Sequence, residues 1–134
     1  MTSDKLRLKP SVDGIRVNWV NVPYFTVKEI KNDETTYLKF TFQYRFKASI
    51  KTQEGSFVGT LKQLDMVIGS AAANLFKKFY DGMYINTSKI LLIREEYING
   101  SVDKVDLEFV FVDSMRLQYR LTAEQWSWWR SRYL

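Results

Sequence analysis

Cationic side chains recur along one strongly alternating stretch, residues 38–51, LKFTFQYRFKASIK. Its odd-numbered positions are polar, and four of the seven are cations: Lys39, Arg45, Lys47 and Lys51. No acidic residue lies between Glu34 and Glu54. A row of cations can neutralise the phosphates of nucleic acid, but lysine is also common on solvated edge strands, where it discourages pairing with another strand. The sequence leaves both interpretations open.

The same stretch predicts one long β-strand, because its even-numbered positions from Leu38 to Ile50 are all apolar or aromatic. Such a strand has an apolar face and a positive face. The four residues TQEG at 52–55 are predicted to form the hairpin turn that follows it.

The composition excludes several classes of site. The chain has no cysteine and no histidine, so disulfides, cysteine nucleophiles, Ser-His-Asp triads and the usual zinc sites are absent. Glu95 and Glu96 are adjacent on a predicted strand, so they point to opposite faces and cannot act as a catalytic pair. We therefore expect no enzymatic activity, no cofactor and no metal.

The bulk properties are those of one small globular domain. The chain has 134 residues, of which 46% are hydrophobic and 16% aromatic, with a net charge of +5. The excess of cations suits nucleic acid or another anionic surface. The first residues, MTSDKLRLKPSVDG, contain no apolar signal segment, and no run approaches the roughly eighteen apolar residues of a membrane span. We expect no membrane association and a cytoplasmic location.

The remaining pattern predicts a mainly β, predominantly antiparallel fold with two short helices. Residues 1–35 form a lead-in with one or two extra strands, at GIRVNWVNV (14–22) and YFTVKEI (24–30), and Pro10 argues against regular structure in residues 1–13. Capping boxes at Thr60/Gln63 and Thr122/Gln125 predict two helix starts, and Gly69 is a predicted stop. Propensity predicts a helix for SAAANLFKKFYDG (70–82).

Four segments resemble a known family. They are GTLKQLD (59–65), LFKKFYDGMYINTSKILLI (75–93), LEFVFVDSMRLQYRLTAEQW (107–126) and, upstream, YLKFTFQYRFKASIKTQEGSF (37–57). In order and spacing they are similar to the LytTR domain, the DNA-binding domain of LytR/AgrA-type response regulators, over about residues 36–130.

The resemblance implies an elongated antiparallel β domain over residues 36–134. In that family, loops enter successive major grooves of double-stranded DNA, and dimers commonly bind direct repeats. It implies a sequence-specific transcriptional regulator, here expected to lack a receiver domain, and it makes the second half of residues 70–82 a strand. Together with the charge pattern it nominates these residues for DNA contact: Lys39, Tyr44, Arg45, Lys47, Lys77, Lys78, Tyr80, Asp81, Arg116 and Arg120.

Several of these positions have a second interpretation. Alternation puts Tyr44 on the apolar face, whereas the resemblance puts it at a DNA-facing bend, which a bulge near Gln43 would reconcile. Arg116 and Arg120 contact DNA, or they pair with Asp106 and Glu108 across a strand ladder.

The tryptophan-rich end and the function as a whole also have alternatives. Trp126, Trp128 and Trp129 provide core packing, a homodimer contact or a base-stacking platform, and the first two are favoured. The alternative to a DNA-binding regulator is a β-rich protein–protein interaction or assembly subunit, from a phage or a secretion apparatus, that does not bind DNA.

Overall fold

A computed structural model describes residues 8–10, 16–98 and 103–134, and in them the chain forms two compact units divided between Asn86 and Thr87. The first unit contains strands β1 (Leu8–Pro10), β2 (Arg16–Asn18), β3 (Tyr24–Asn32), β4 (Thr35–Phe46), β5 (Ser49–Val58), β6 (Phe76–Lys78) and β7 (Met83–Asn86), and helices α1 (Leu64–Ile68) and α2 (Ser70–Ala73). The second contains β8 (Ile90–Tyr97), β9 (Lys104–Phe111), β10 (Arg116–Thr122) and helix α3 (Ala123–Tyr133).

Antiparallel pairing organises both units, as the sequence predicted. In the first, the strand order is β5-β4-β3-β7-β6, with β1 and β2 paired separately; in the second it is β10-β9-β8. For residues 8–10 the prediction of irregular structure in residues 1–13 is wrong, because β1 pairs with β2 and includes Pro10. Proline is tolerated at such a position when its missing N–H falls outside the ladder. The sequence Asn-Gly at 99–100, which predicts a turn, lies outside the described residues.

An aromatic cluster forms the core of the first unit. The Trp19 ring lies 5.2 Å from Phe25 and 5.2 Å from Phe40, and Phe25 lies 4.9 Å from Phe76. Phe25 and Phe40 belong to the central strands β3 and β4, and α1 adds Leu64, Val67 and Ile68 to the same cluster. Edge-to-face aromatic contacts of this kind add specific geometry to apolar burial.

The helix signals in the sequence are confirmed. Thr60 and Gln63 form a capping box ahead of a 3-10 turn (Leu61–Gln63) and α1, which ends at Gly69, where φ is 93°. Thr122 and Gln125 cap α3 reciprocally, with bonds of 3.0 and 3.1 Å. Residues 70–82 divide into helix α2 and strand β6, so the described part of the chain has three short helices where two were predicted.

The predicted turn at 52–55 is wrong. Those residues lie within β5, and the chain turns at Lys47–Ala48 instead. In the observed register Leu38 lies opposite Phe57 and Phe40 opposite Gly55. This register puts the Phe57 ring on the same face as Leu38, where both pack with the aromatic cluster.

Asn86, at the end of β7, is the one polar residue buried among the described side chains. Its Nδ2 donates to the carbonyl oxygens of Val20 (3.0 Å) and Val22 (3.2 Å). The amide ties β7 to the segment before β3.

Replacing Asn86 with alanine should lower the free energy of unfolding by about 2 kcal/mol or more, because two carbonyls lose their donor. Urea denaturation measures this. The exposed Asn74→Ala is the matched control and should change stability by less than about 0.5 kcal/mol. Equal effects of the two substitutions would contradict the role given to Asn86.

Candidate nucleic-acid interface

The hairpin of β4 and β5 extends past the rest of its sheet. The last partners of β3 and β4 are Thr26 and Thr41, whereas β4 and β5 stay paired to Phe46 and Ser49. Every residue from 44 to 52 is exposed. We call residues 44–52 the ribbon. A two-stranded ribbon of this kind is accessible from both faces and from its tip.

The base of the ribbon is fixed to the core. The Phe42 ring lies 5.6 Å from Trp19, and the Tyr24 hydroxyl donates to Gln43 Oε1 at 3.4 Å. These contacts set the direction in which the outer residues project.

The charge of the ribbon is wholly positive. It contains Arg45, Lys47 and Lys51 and no acidic residue. Arg45 lies opposite Ile50, and Lys51 lies opposite Tyr44. Since directly opposed residues share a face, Arg45 and Lys51 are on different faces, with Lys47 at the turn. Cations on both faces suit a groove with two negative walls better than a flat surface.

This arrangement corrects the single positive face expected from the sequence. That expectation placed Lys39, Arg45, Lys47 and Lys51 on one strand, whereas the turn at Lys47–Ala48 moves Lys51 to β5 and to the opposite face. Lys39 remains on the face of Arg45, but its Nζ lies 3.6 Å from Glu54. Both side chains of this pair are exposed, so the ion pair is weak.

Tyr44 follows the alternation of its strand. It lies on the face of Phe42, 6.4 Å from that ring, and is 38% exposed. The register of β4 and β5 is continuous from Tyr37 to Phe46, so there is no bulge at Gln43.

Two apolar side chains at the tip were not singled out from the sequence. Phe46 and Ile50 are 55% and 54% exposed, and Lys47 Nζ lies 5.5 Å from the centroid of the Phe46 ring. Lys47 has φ of 57°, a left-handed conformation that is uncommon for lysine. No Gly, Asn or Pro marks this turn, which is why sequence signals missed it.

A second group of predicted contact residues lies at the other side of the same sheet. Lys77 and Lys78 belong to β6, three strands from β4, a separation of roughly 14 Å at about 4.8 Å per strand. Lys77 Nζ donates to Asn74 O at 3.2 Å. These residues are therefore a site separate from the ribbon.

The turn between β6 and β7 carries Tyr80 and Asp81. Asp81 has φ of 56° and Gly82 φ of 75°; a Cβ on Gly82 would meet Val27 O at 2.8 Å. The Tyr80 ring lies 5.1 Å from Phe79, and burial raises the pKa of its phenol, which keeps it protonated. Asp81 is exposed, so this turn presents a carboxylate and a phenol.

Arg116 and Arg120, in the second unit, pair with carboxylates as the alternative interpretation predicted. Arg120 lies opposite Asp106 and donates to it twice, at 2.7 and 3.2 Å. Arg116 lies 3.4 Å from Glu108, which also accepts from Arg94 and Gln118. The hydrogen bond from Arg120 lowers the pKa of Asp106, and those from Arg94 and Gln118 lower the pKa of Glu108.

The same sheet face contains an open depression of about 460 Å³. Its charged lining consists of Arg94, Arg120, Glu96, Asp106 and Glu108. Two cations against three carboxylates give no excess of positive charge, so the depression does not favour an anion.

The tryptophan cluster is mainly core. Trp126 and Trp129 are 1% and 0% exposed and lie 6.0 and 6.1 Å from Phe109. Buried in this way, they cannot form the intermolecular contact proposed for them. Trp128 is 54% exposed, and the Arg132 guanidinium lies 5.2 Å from its ring centroid. The homodimer itself stays a prediction.

Comparisons of the chain with protein-family models, with curated proteins and with solved structures find no match. Among residues 8–10, 16–98 and 103–134, no group of three or more acidic side chains is placed to hold a metal ion. Within the same residues, no helix has the length and apolar composition needed to cross a membrane.

Acid should destabilise the fold through the Arg120–Asp106 pair. The pKa of Asp106 is lowered from 3.8 in the folded protein, so the unfolded chain takes up this proton first. Stability from the pair is full well above 3.8 and is lost as the pH falls through and below that value. The melting temperature should therefore fall less between neutral and acid pH for Asp106→Asn than for the wild type. Arg120→Gln should remove the same pH-dependent part of the stability. A pH profile of stability that is unchanged in both variants would contradict the role given to this ion pair.

Proposed function

We propose that the protein binds double-stranded DNA sequence-specifically as a transcriptional regulator, and that the ribbon is the element that enters the groove. The observation that carries the proposal is the charge of the ribbon: three cations on two faces and a turn, with no acidic residue among its nine positions. Nucleic-acid phosphates are the abundant polyanion that such an element fits.

The dimensions of the ribbon suit the major groove. From Tyr44 to Lys47 it spans roughly 10 Å at about 3.4 Å per residue. The major groove is about 12 Å wide and about 8.5 Å deep and admits a two-stranded ribbon. Inserted tip first, the ribbon brings Arg45 toward one wall and Lys51 toward the other.

The cations then divide into two roles. Lys47 and Lys51 neutralise phosphates, which provides affinity without regard to sequence. Arg45 has the guanidinium fork that recognises a guanine edge through two hydrogen bonds. Lys77 and Lys78 are a second phosphate contact on the same sheet. Arg116 and Arg120 are left out of the interface, because a phosphate would have to displace Asp106 and Glu108 from them.

The role in transcription rests on the resemblance to LytTR domains. The quoted segments and their order over residues 36–130 supply that part of the proposal, and the ribbon belongs to the upstream segment at 37–57. Membership of the family is itself part of the proposal.

One observation favours the alternative, a protein–protein interaction or assembly subunit. Phe46 and Ile50 are large apolar side chains more than half exposed at the tip of the ribbon. Exposed apolar groups mark protein contacts when they form a patch. Here they point to opposite faces, since Phe46 lies opposite Ser49 and Ile50 opposite Arg45. Because the two apolar side chains do not form one patch, the cations are the stronger indication of what the ribbon binds.

Binding to random-sequence duplex DNA should fall steeply with salt. Four phosphate contacts, those of Lys47, Lys51, Lys77 and Lys78, give a slope of roughly −3.6 in a plot of log K against log salt. Lys51→Ala and Lys47→Gly should each flatten the slope by about one. Glycine at position 47 suits the φ of 57° and removes the charge without straining the turn. Fluorescence anisotropy at several salt concentrations measures the slope.

The matched control is Lys31→Ala, an exposed lysine on β3 that lies outside the ribbon. It should leave the slope within error of the wild type. A wild-type protein that binds no DNA at low salt, but forms large defined oligomers on a sizing column, would refute the proposal and support an assembly subunit.

Arg45→Ala should relax sequence preference. Loss of a bidentate guanine contact costs about 1–3 kcal/mol of discrimination at that base. Selection from a random duplex library before and after the substitution measures the preference, with Lys51→Ala as the comparison that weakens all sequences alike. A library profile that is unchanged by Arg45→Ala would remove this residue from base recognition.

A further inference from the structure

Strand β8 forms one edge of the three-stranded sheet. Within the described residues its strand partner is β9, and no strand pairs with its other side. Six of its eight residues are exposed, among them Leu91 at 63% and Tyr97 at 45%, and the other two are half-buried. Edge strands are commonly protected by proline or by charged side chains, especially lysine. The eight residues ILLIREEY contain neither lysine nor proline, and their three charges are of both signs.

We propose that two copies of the protein associate by antiparallel pairing of their β8 strands, with the two-fold axis at Glu95. Two directly opposed residues point to the same face of the sheet, and side chains alternate between the faces along each strand. A two-fold axis keeps each residue on the same face in both copies. Two residues can therefore be opposed only if their numbers are both odd or both even. With Glu95 opposite Glu95, Arg94 faces Glu96 of the second copy and Ile93 faces Tyr97. The result is a six-stranded sheet. The proposal is independent of DNA binding.

The charges of β8 select this register. It forms two identical Arg94–Glu96 pairs across the axis. This register and the two neighbouring allowed registers each put one like-charged pair at the axis, Glu95 here and Arg94 or Glu96 in the neighbouring registers, and such a pair is destabilising. The neighbouring registers offer no pair of opposite charges to offset it. Only the register centred on Glu95 gives both residues a partner of opposite charge.

Within one chain Glu96 is exposed to solvent. It lies opposite Asp106, another carboxylate, and among the described residues no cation lies within 4 Å of it. The pair formed with the second copy supplies that missing cation. Arg94 already contacts Glu108 in its own chain, and a guanidinium has enough donors for both carboxylates.

The other face of the strand is compatible with the same axis. Ile93 and Tyr97 form two apolar cross-strand pairs. The two Glu95 carboxylates meet at the axis, but each lies 3.3 Å from Arg130 of its own α3, so two cations accompany the two anions. An interface of one strand per copy is small, and we expect a weak, concentration-dependent dimer.

Disulfide trapping tests the register, because the chain contains no cysteine. Residues at the axis have Cβ atoms about 4.5–5.5 Å apart, close to disulfide geometry. Oxidised Glu95→Cys should therefore form covalent dimers. Tyr97→Cys lies on the same face but places the two thiols four residues apart along the strands, about 13 Å. It should therefore form no covalent dimer. A mixture of Ile93→Cys and Tyr97→Cys should form the mixed dimer in preference to either homodimer.

Variants with exchanged charges on β8 test the interface in a second way. Their dimerisation is measured by sedimentation in the absence of DNA. Glu96→Arg puts an arginine opposite Asp106 in its own chain but opposite Arg94 of the second copy. It should keep or raise the melting temperature while weakening dimerisation roughly tenfold. The double variant Arg94→Glu/Glu96→Arg restores complementary pairs and should restore the dimer.

Two results would overturn the β8 dimer: equal cross-linking of Glu95→Cys and Tyr97→Cys, or a sedimentation profile that Glu96→Arg does not change. Loss of DNA binding in the ribbon variants, with cross-linking at position 95 retained, would refute the proposed function and leave the dimer intact.

Discussion

The register between β4 and β5 is the constraint on which the first unit depends. A single continuous ladder runs from Tyr37 opposite Val58 to Phe46 opposite Ser49. Its inner part buries Leu38 and Phe40, and its outer part forms the ribbon. Because side chains alternate, a slip of one residue would turn the core side chains to solvent and exchange the faces of the cations. The packing of the aromatic cluster therefore also fixes where each charge of the ribbon points.

Features set by near neighbours in the chain could be predicted from the sequence. The alternation of β4, the capping boxes at Thr60 and Thr122 and the stop at Gly69 depend on residues within a few positions of one another. The turn at Lys47–Ala48 depends on something else: the burial of Leu38 with Phe57, nineteen positions away along the chain. No local turn signal competes at 47–48, and TQEG contains a glycine, so sequence patterns favoured the wrong place.

The charges of the candidate site show the same limit on what can be predicted from the sequence. Sequence identifies every cation but not the acid that folding brings opposite it. Asp106 and Arg120 are fourteen positions apart, and only the register of β9 and β10 makes them a pair. The acid-free window between Glu34 and Glu54 covers every position of the ribbon, although Glu54, further along β5, contacts Lys39. The ribbon therefore has no acidic residue of its own, and this part of the predicted site carries the proposed function.

Charge also distinguishes the two exposed strand elements from each other. The ribbon has cations alone, so two ribbons repel and neither is a template for the other. β8 has Arg94 followed by Glu95 and Glu96, and an antiparallel copy of that pattern opposes Arg94 to Glu96 in one register. Uniform charge thus accords with the polyanion proposed as partner of the ribbon, and mixed charge accords with the proposed pairing of β8 with its own copy. β8 contains neither lysine nor proline, so in the proposed dimer its charge pattern is the feature that determines the register.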